Sequence, residues 1–131
     1  MRVDDRGVGK STGSFATATS EDFASDVLAG IAYLKTRKEL DAKKLGVIGH
    51  SEGGLIAPLC AAKSPDVAFI VMMAGPGVTG EEILYEQAAL LARASGANEN
   101  AITQSRKIQE KIFAILKTEK DPAAADKKLA E

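Results

Sequence analysis

The pentapeptide Gly49-His50-Ser51-Glu52-Gly53 is where residue types and spacing could do chemistry. It fits G-x-S-x-G and stands between an apolar run, Leu45-Gly46-Val47-Ile48, and a helix-like stretch over 53–63. A serine held in so tight a strand-to-helix turn occupies a strained backbone conformation, and glycines beside it avoid collisions of side chains with the strand and the helix. The turn projects the hydroxyl alone, ready to attack a carbonyl and divide acyl transfer into two easier steps. The amide N–H of Glu52 falls at the start of the following helix, where unpaired donors and the helix dipole favour a developing oxyanion. Ser51 is therefore expected as a nucleophile and Glu52 N–H as one oxyanion donor. The competing reading is a chance pentapeptide at an ordinary glycine-rich turn; the strand before it and the helix after it favour the elbow.

His50 is the only histidine in the 131 residues. Adjacent residues at a tight turn direct their side chains apart, so its imidazole is not expected to reach the Ser51 hydroxyl as general base. A second glycine-rich segment, Gly7-Val8-Gly9-Lys10-Ser11, resembles a phosphate-binding loop only superficially. Asp4 stands where that motif needs its first glycine, and Thr12 stands at the third glycine of a dinucleotide fingerprint. No cofactor and no metal is expected. Cys60, the single cysteine, lies in an apolar helical stretch and reads as a small buried hydrophobe.

The elements that must position Ser51 follow from periodicity. Phe23, Val27, Ile31 and Leu34 recur at helical spacing after the polar start Thr19-Ser20-Glu21-Asp22, which predicts an amphipathic, N-capped helix over 20–37. Residues 45–48 read as a buried parallel strand, 53–63 as a helix, and Val67 to Met73 as a second buried strand ended by Ala74-Gly75-Pro76-Gly77. Met72 and Met73 read as core filling. From residue 81 on no strand pattern returns: 81–95 and 99–120 read as helices separated by Gly96-Ala97-Asn98, followed by a short Ala- and Lys-rich tail opening at Pro122. The pattern predicts an α/β core over 1–80 followed by a helical segment over 81–131.

Composition excludes several functions. A hydrophobic content of 45% and a charged fraction of 27% describe one modest soluble domain. With a formal net charge of −1 there is no global attraction to nucleic acid or to an anionic membrane surface, and no apolar stretch approaches the roughly 20 residues of a membrane span. The N-terminus shows no basic-then-apolar leader. Small neutral or mixed-charge substrates fit this balance better.

Asp4-x-Arg6-Gly7-x-Gly9-x-Ser11, with the elbow about 40 residues later, resembles the D-x-R-G-x-G-x-S segment that follows the fourth strand in many α/β hydrolases. Together with Gly53-Gly54-Leu55-Ile56-Ala57-Pro58 and Met73-Ala74-Gly75-Pro76, the sequence is similar to bacterial α/β-hydrolase esterases and serine aminopeptidase-like hydrolases, well over 2–80 and weakly beyond. The resemblance implies a partial α/β-hydrolase fold, with Ser51 as nucleophile, Glu52 N–H in the oxyanion hole, and 81–131 as part of a helical lid. It implies a second oxyanion donor upstream of Met1, and an acid and a histidine downstream of Glu131. Met1-Arg2-Val3 would be the remnant of the fourth strand. Because the third strand lies between the fourth and fifth in that family, only the two later strands would pair directly, and their unpaired edges invite self-association. Arg6 and Asp4 are expected to hold the loop after the fourth strand, with a substrate-carboxylate clamp as the alternative for Arg6. The implied activity is ester hydrolysis first and peptide hydrolysis second, with this chain near silent; the rival is a non-catalytic module whose 81–120 helices bind a partner chain.

Overall fold

The computed structural model describes residues 1–130. The chain divides into two compact units, Met1–Gly77 and a second that begins at Val78.

In the first unit α1, Ser20–Lys35, begins at a reciprocal cap: the Thr19 side chain accepts from Asp22 N–H while the Asp22 carboxylate accepts from Thr19 N–H. Glu21 and Asp22 in the first turn and Lys35 in the last complement the helix dipole. A short 3₁₀ turn, Ala42–Lys44, capped by Asp41, leads into β1, Gly46–His50. Helix α2, Gly53–Lys63, returns the chain to β2, Phe69–Met73. The two strands pair in parallel, from Gly46 opposite Phe69 to His50 opposite Met73. This strand–helix–strand order is the expected α/β arrangement, with α2 packed against both strands and against α1.

The core is small. Ala24 and Ile31 of α1, Leu45, and Ala57 and Cys60 of α2 are its buried apolar members. Burial raises the Cys60 thiol pKa above its ordinary value, which keeps it in the neutral form of a small hydrophobe.

Two expectations are corrected here. Met1-Arg2-Val3 forms no strand, because no neighbouring ladder is present to accept its backbone groups. The two strands are not buried. Ile48, Phe69, Val71 and Met73 share one face of the sheet by the register and the two-residue period, and each is more than 40% exposed. Met72, on the other face, is exposed as well, so neither methionine fills a core. A two-stranded parallel sheet with helices on one face has nothing to cover the other. The apolar stripe of α1 meets a similar fate: Phe23, Val27 and Leu34 are only half-buried and line a cavity of about 520 Å³ shared with β1.

The second unit holds α3, Gly80–Ala94, α4, Glu99–Thr118, and α5, Pro122–Leu129. The tail read from Pro122 is thus helical, with Pro122 opening its first turn. Thr79 and Glu82 form a second reciprocal cap on α3, and Asn98 caps α4. Between α3 and α4 the Tyr85 ring meets Phe113 edge-on at 5.4 Å and carries the Arg106 guanidinium 3.7 Å above its centre. Burial, followed by the hydrogen bond from its hydroxyl to Glu81, pushes the Tyr85 pKa up to about 12. Among the described residues no helix is long and apolar enough to cross a membrane.

Candidate active site

Ser51 stands at the junction where β1 ends and α2 begins. Its φ of 55° lies in the left-handed region, an outlier for a residue with a side chain. Three close approaches hold it there. A Cβ on Gly49 would lie 1.8 Å from the Gly53 carbonyl oxygen, and one on Gly54 would lie 2.4 Å from the Gly75 Cα. Ser51 N–H donates to the Met73 carbonyl at 2.9 Å, closing the last rung of the parallel ladder, His50 opposite Met73. The glycines at 49 and 54 are therefore required by backbone contact, whereas Gly53 faces open space.

Glu52 is the N-cap of α2, in helical backbone conformation with no side-chain cap. Among the described residues its N–H has no hydrogen-bond acceptor, while Gly54 N–H returns to the Ser51 carbonyl at 2.9 Å. A free donor beside the serine, at a helix start, is the arrangement that stabilises an oxyanion. The Glu52 carboxylate, which the sequence did not single out, accepts from the Ser20 hydroxyl at 3.0 Å and so joins the elbow to the start of α1.

No hydrogen bond joins His50 to Ser51 among the described residues, in keeping with divergent side chains at the turn. The described residues contain no group of acidic, histidine and cysteine side chains suited to a metal ion.

Arg6 is committed elsewhere. Its Nε and Nη2 donate to the two carboxylate oxygens of Asp26 at 2.5 and 2.9 Å, and Nη1 donates to Asp22 at 3.2 Å. The pairing with Asp26 raises the Arg6 pKa further, and the Asp22 carboxyl is held below its ordinary range, first by Thr19 and then by Arg6. With every nitrogen of the fork engaged, Arg6 fastens the loop to α1 and has no bidentate face left for a substrate carboxylate. Asp4 closes the same loop: its carbonyl accepts from Ser11 Oγ at 2.7 Å, and its carboxylate fills the space where a Gly9 side chain would stand. Gly7, Val8 and Ser11 N–H also donate within the loop, to the Thr12, Asp5 and Val8 carbonyls.

One feature escaped the sequence. Ala74, the residue after β2, also has a left-handed φ, 48°, and with Ser51 it makes up the described non-glycine residues of positive φ. An alanine before Gly-Pro-Gly carries no sequence signal of that conformation.

No curated protein and no solved structure matches the chain. The family model for serine aminopeptidase, S33, an α/β-hydrolase family, matches residues 1–128. That match takes in the Arg6 loop, both strands, the turn at Ser51 and the second unit as far as Lys128, and on its extent the chain belongs to the serine aminopeptidase S33 family of hydrolases.

Proposed function

We propose that Ser51 is the nucleophile of a serine hydrolase that cleaves carboxylic esters or amides through an acyl-enzyme. The left-handed Ser51 beside the free N–H of Glu52 carries this reading. Ser51 Oγ attacks the substrate carbonyl and loses its proton to a histidine, the carbonyl oxygen turns towards Glu52 N–H, and collapse expels the alcohol or amine. Water then releases the acid and restores Ser51. The family description names an aminopeptidase, and an activated serine of this kind takes esters more readily because an alkoxide leaves more easily than an amide nitrogen. We therefore place small esters first and peptides second.

The 131 residues hold no histidine besides His50, so the base has to come from outside them, and the chain alone is near silent. Loss of a general base costs roughly 10²–10⁴ in rate, and loss of one oxyanion donor about 10²–10³. In this reading the helices from residue 81 onward belong to a lid over the substrate cleft.

The experiment compares p-nitrophenyl ester and aminoacyl-p-nitroanilide hydrolysis by the 131-residue chain, by the product of the gene read past Glu131, and by the Ser51→Ala variant of each. Turnover confined to the longer product and abolished by Ser51→Ala is the expected outcome. Ser51-dependent turnover by the 131-residue chain would show that it recruits a base, such as His50 of a second copy.

A second reading rests on Leu84, Leu90, Leu91, Ile108 and Leu116, each at least 49% exposed on α3 and α4. A module that retained the elbow as scaffold would use these side chains to bind a partner chain. A stop codon directly after Glu131, with no turnover by any product, would favour it.

A further inference from the structure

Glu52 carries two groups that act against each other. Its backbone N–H, next to Ser51 and without an acceptor among the described residues, is the oxyanion donor of the proposed reaction, and its side chain is a carboxylate on the same residue. Unpaired N–H groups at a helix start attract negative charge of any origin. A carboxylate left to settle there would repel the oxyanion that Glu52 N–H has to hold.

The structure sends that carboxylate elsewhere. Its Oε1 accepts from the Ser20 hydroxyl at 3.0 Å, in the first turn of α1. There Thr19 satisfies Asp22 N–H, while Ser20 and Glu21 N–H have no acceptor among the described residues, so the start of α1 favours negative charge too. The other α-helices show what is unusual about α2. Thr19, Thr79, Asn98 and Asp121 each turn a side-chain oxygen onto an N–H of the helix they open. Glu52 opens α2 without such a bond, and the N–H groups of Glu52 and Gly53 stay free among the described residues.

We infer that Ser20 is a positioning residue: by holding the Glu52 carboxylate at the start of α1, its hydroxyl keeps that charge off the start of α2 and leaves Glu52 N–H to the oxyanion. The inference rests on the proposed role of Ser51.

The test uses Ser20→Ala, which releases the carboxylate, and Ser20→Thr, which keeps a hydroxyl to hold it. Both are made in the gene product read past Glu131, alone and with Glu52→Gln, and assayed with p-nitrophenyl acetate. Ser20→Ala is expected to lower kcat about fivefold with KM unchanged, the size of a charge effect at a helix terminus, and Ser20→Thr to restore it. The loss shrinks in strong salt, which screens an exposed carboxylate, and Ser20→Ala causes no further loss once Glu52→Gln has removed the charge. The thermal midpoint of Ser20→Ala does not fall, since Thr19 still caps α1 and alanine is the better helix former. A kcat unchanged in Ser20→Ala, with turnover that still depends on Ser51, overturns the role of Ser20 and leaves the proposed function standing. A loss that persists beside Glu52→Gln, or that comes with a lowered midpoint, assigns Ser20 to the fold and overturns the role as well. Turnover that survives Ser51→Ala, or its absence throughout, overturns the proposed function and the role of Ser20 with it.

Discussion

At the scale of single residues, the turn at Ser51 carries backbone strain that stability alone does not call for. Ser51 at φ 55° is a position where glycine has no steric cost. Ser51→Gly is expected to stabilise the chain by about 0.5–1 kcal/mol, read from urea unfolding, while removing the hydroxyl. Gly54→Ala should do the opposite. Its new methyl group would meet the Gly75 Cα at 2.4 Å, a backbone atom that cannot rotate away, and overpacking of this kind costs about 3 kcal/mol. Should Gly54→Ala unfold at the same urea concentration as the unsubstituted chain, the close contact between the end of β2 and the start of α2 does not exist in solution.

At the scale of elements, the Arg6 fork ties the N-terminal loop to α1, and its partner Asp22 makes the tie depend on pH. The Asp22 carboxyl is depressed by Thr19 and Arg6, so its contribution to stability is present above the unfolded carboxyl pKa and is lost as pH falls through the lower folded value. Arg6→Ala is expected to lower the thermal midpoint by a few degrees at pH 7, and by less once acid has protonated Asp22. If the gene product read past Glu131 hydrolyses esters as proposed, unchanged kinetics in Arg6→Ala mark an architectural residue, and a raised KM for anionic esters alone would return Arg6 to the substrate. In the helical unit the sign is reversed. Tyr85, with its pKa pushed up to about 12, supports the α3–α4 pair fully below the ordinary tyrosine pKa and loses that support as pH rises towards 12. Ultraviolet titration of a Tyr33→Phe variant, which leaves Tyr85 as the single tyrosine, should give a tyrosinate midpoint well above 10. A midpoint near 10 would mean that the hydroxyl does not hold Glu81 in solution.

For the whole molecule, the exposed sheet matters most. Ile48 at 68% and Phe69 and Met73 at 52% exposure present a bare apolar face, and both edges of the two-stranded ladder lack neighbours among the described residues. Such edges template further pairing, and a net charge of −1 offers little repulsion between copies. We expect the 131-residue chain to self-associate with rising concentration in sedimentation velocity, and Ile48→Lys with Val71→Glu to reduce it. A chain that remains monomeric at high concentration would count against open edges as the route of association.

The sequence by itself determined the local features, because these depend on neighbours along the chain. The cap at Thr19, the strand–turn–helix around Ser51 and the paired helices after residue 80 are all written in short-range periodicity and punctuation. The Arg6 loop was expected as architecture through its resemblance to the D-x-R-G-x-G-x-S segment, although its partners Asp22 and Asp26 were not legible, since they lie on the helix that follows. Burial was misread for the opposite reason. Val67 to Met73 has the composition of a strand covered on both faces, yet coverage depends on what packs against it, and composition records only what a strand can tolerate. The left-handed Ala74 was likewise decided in three dimensions: its neighbours Met73, bonded to Ser51 N–H, and Gly75, packed on Gly54, are held by contacts that no local pattern records.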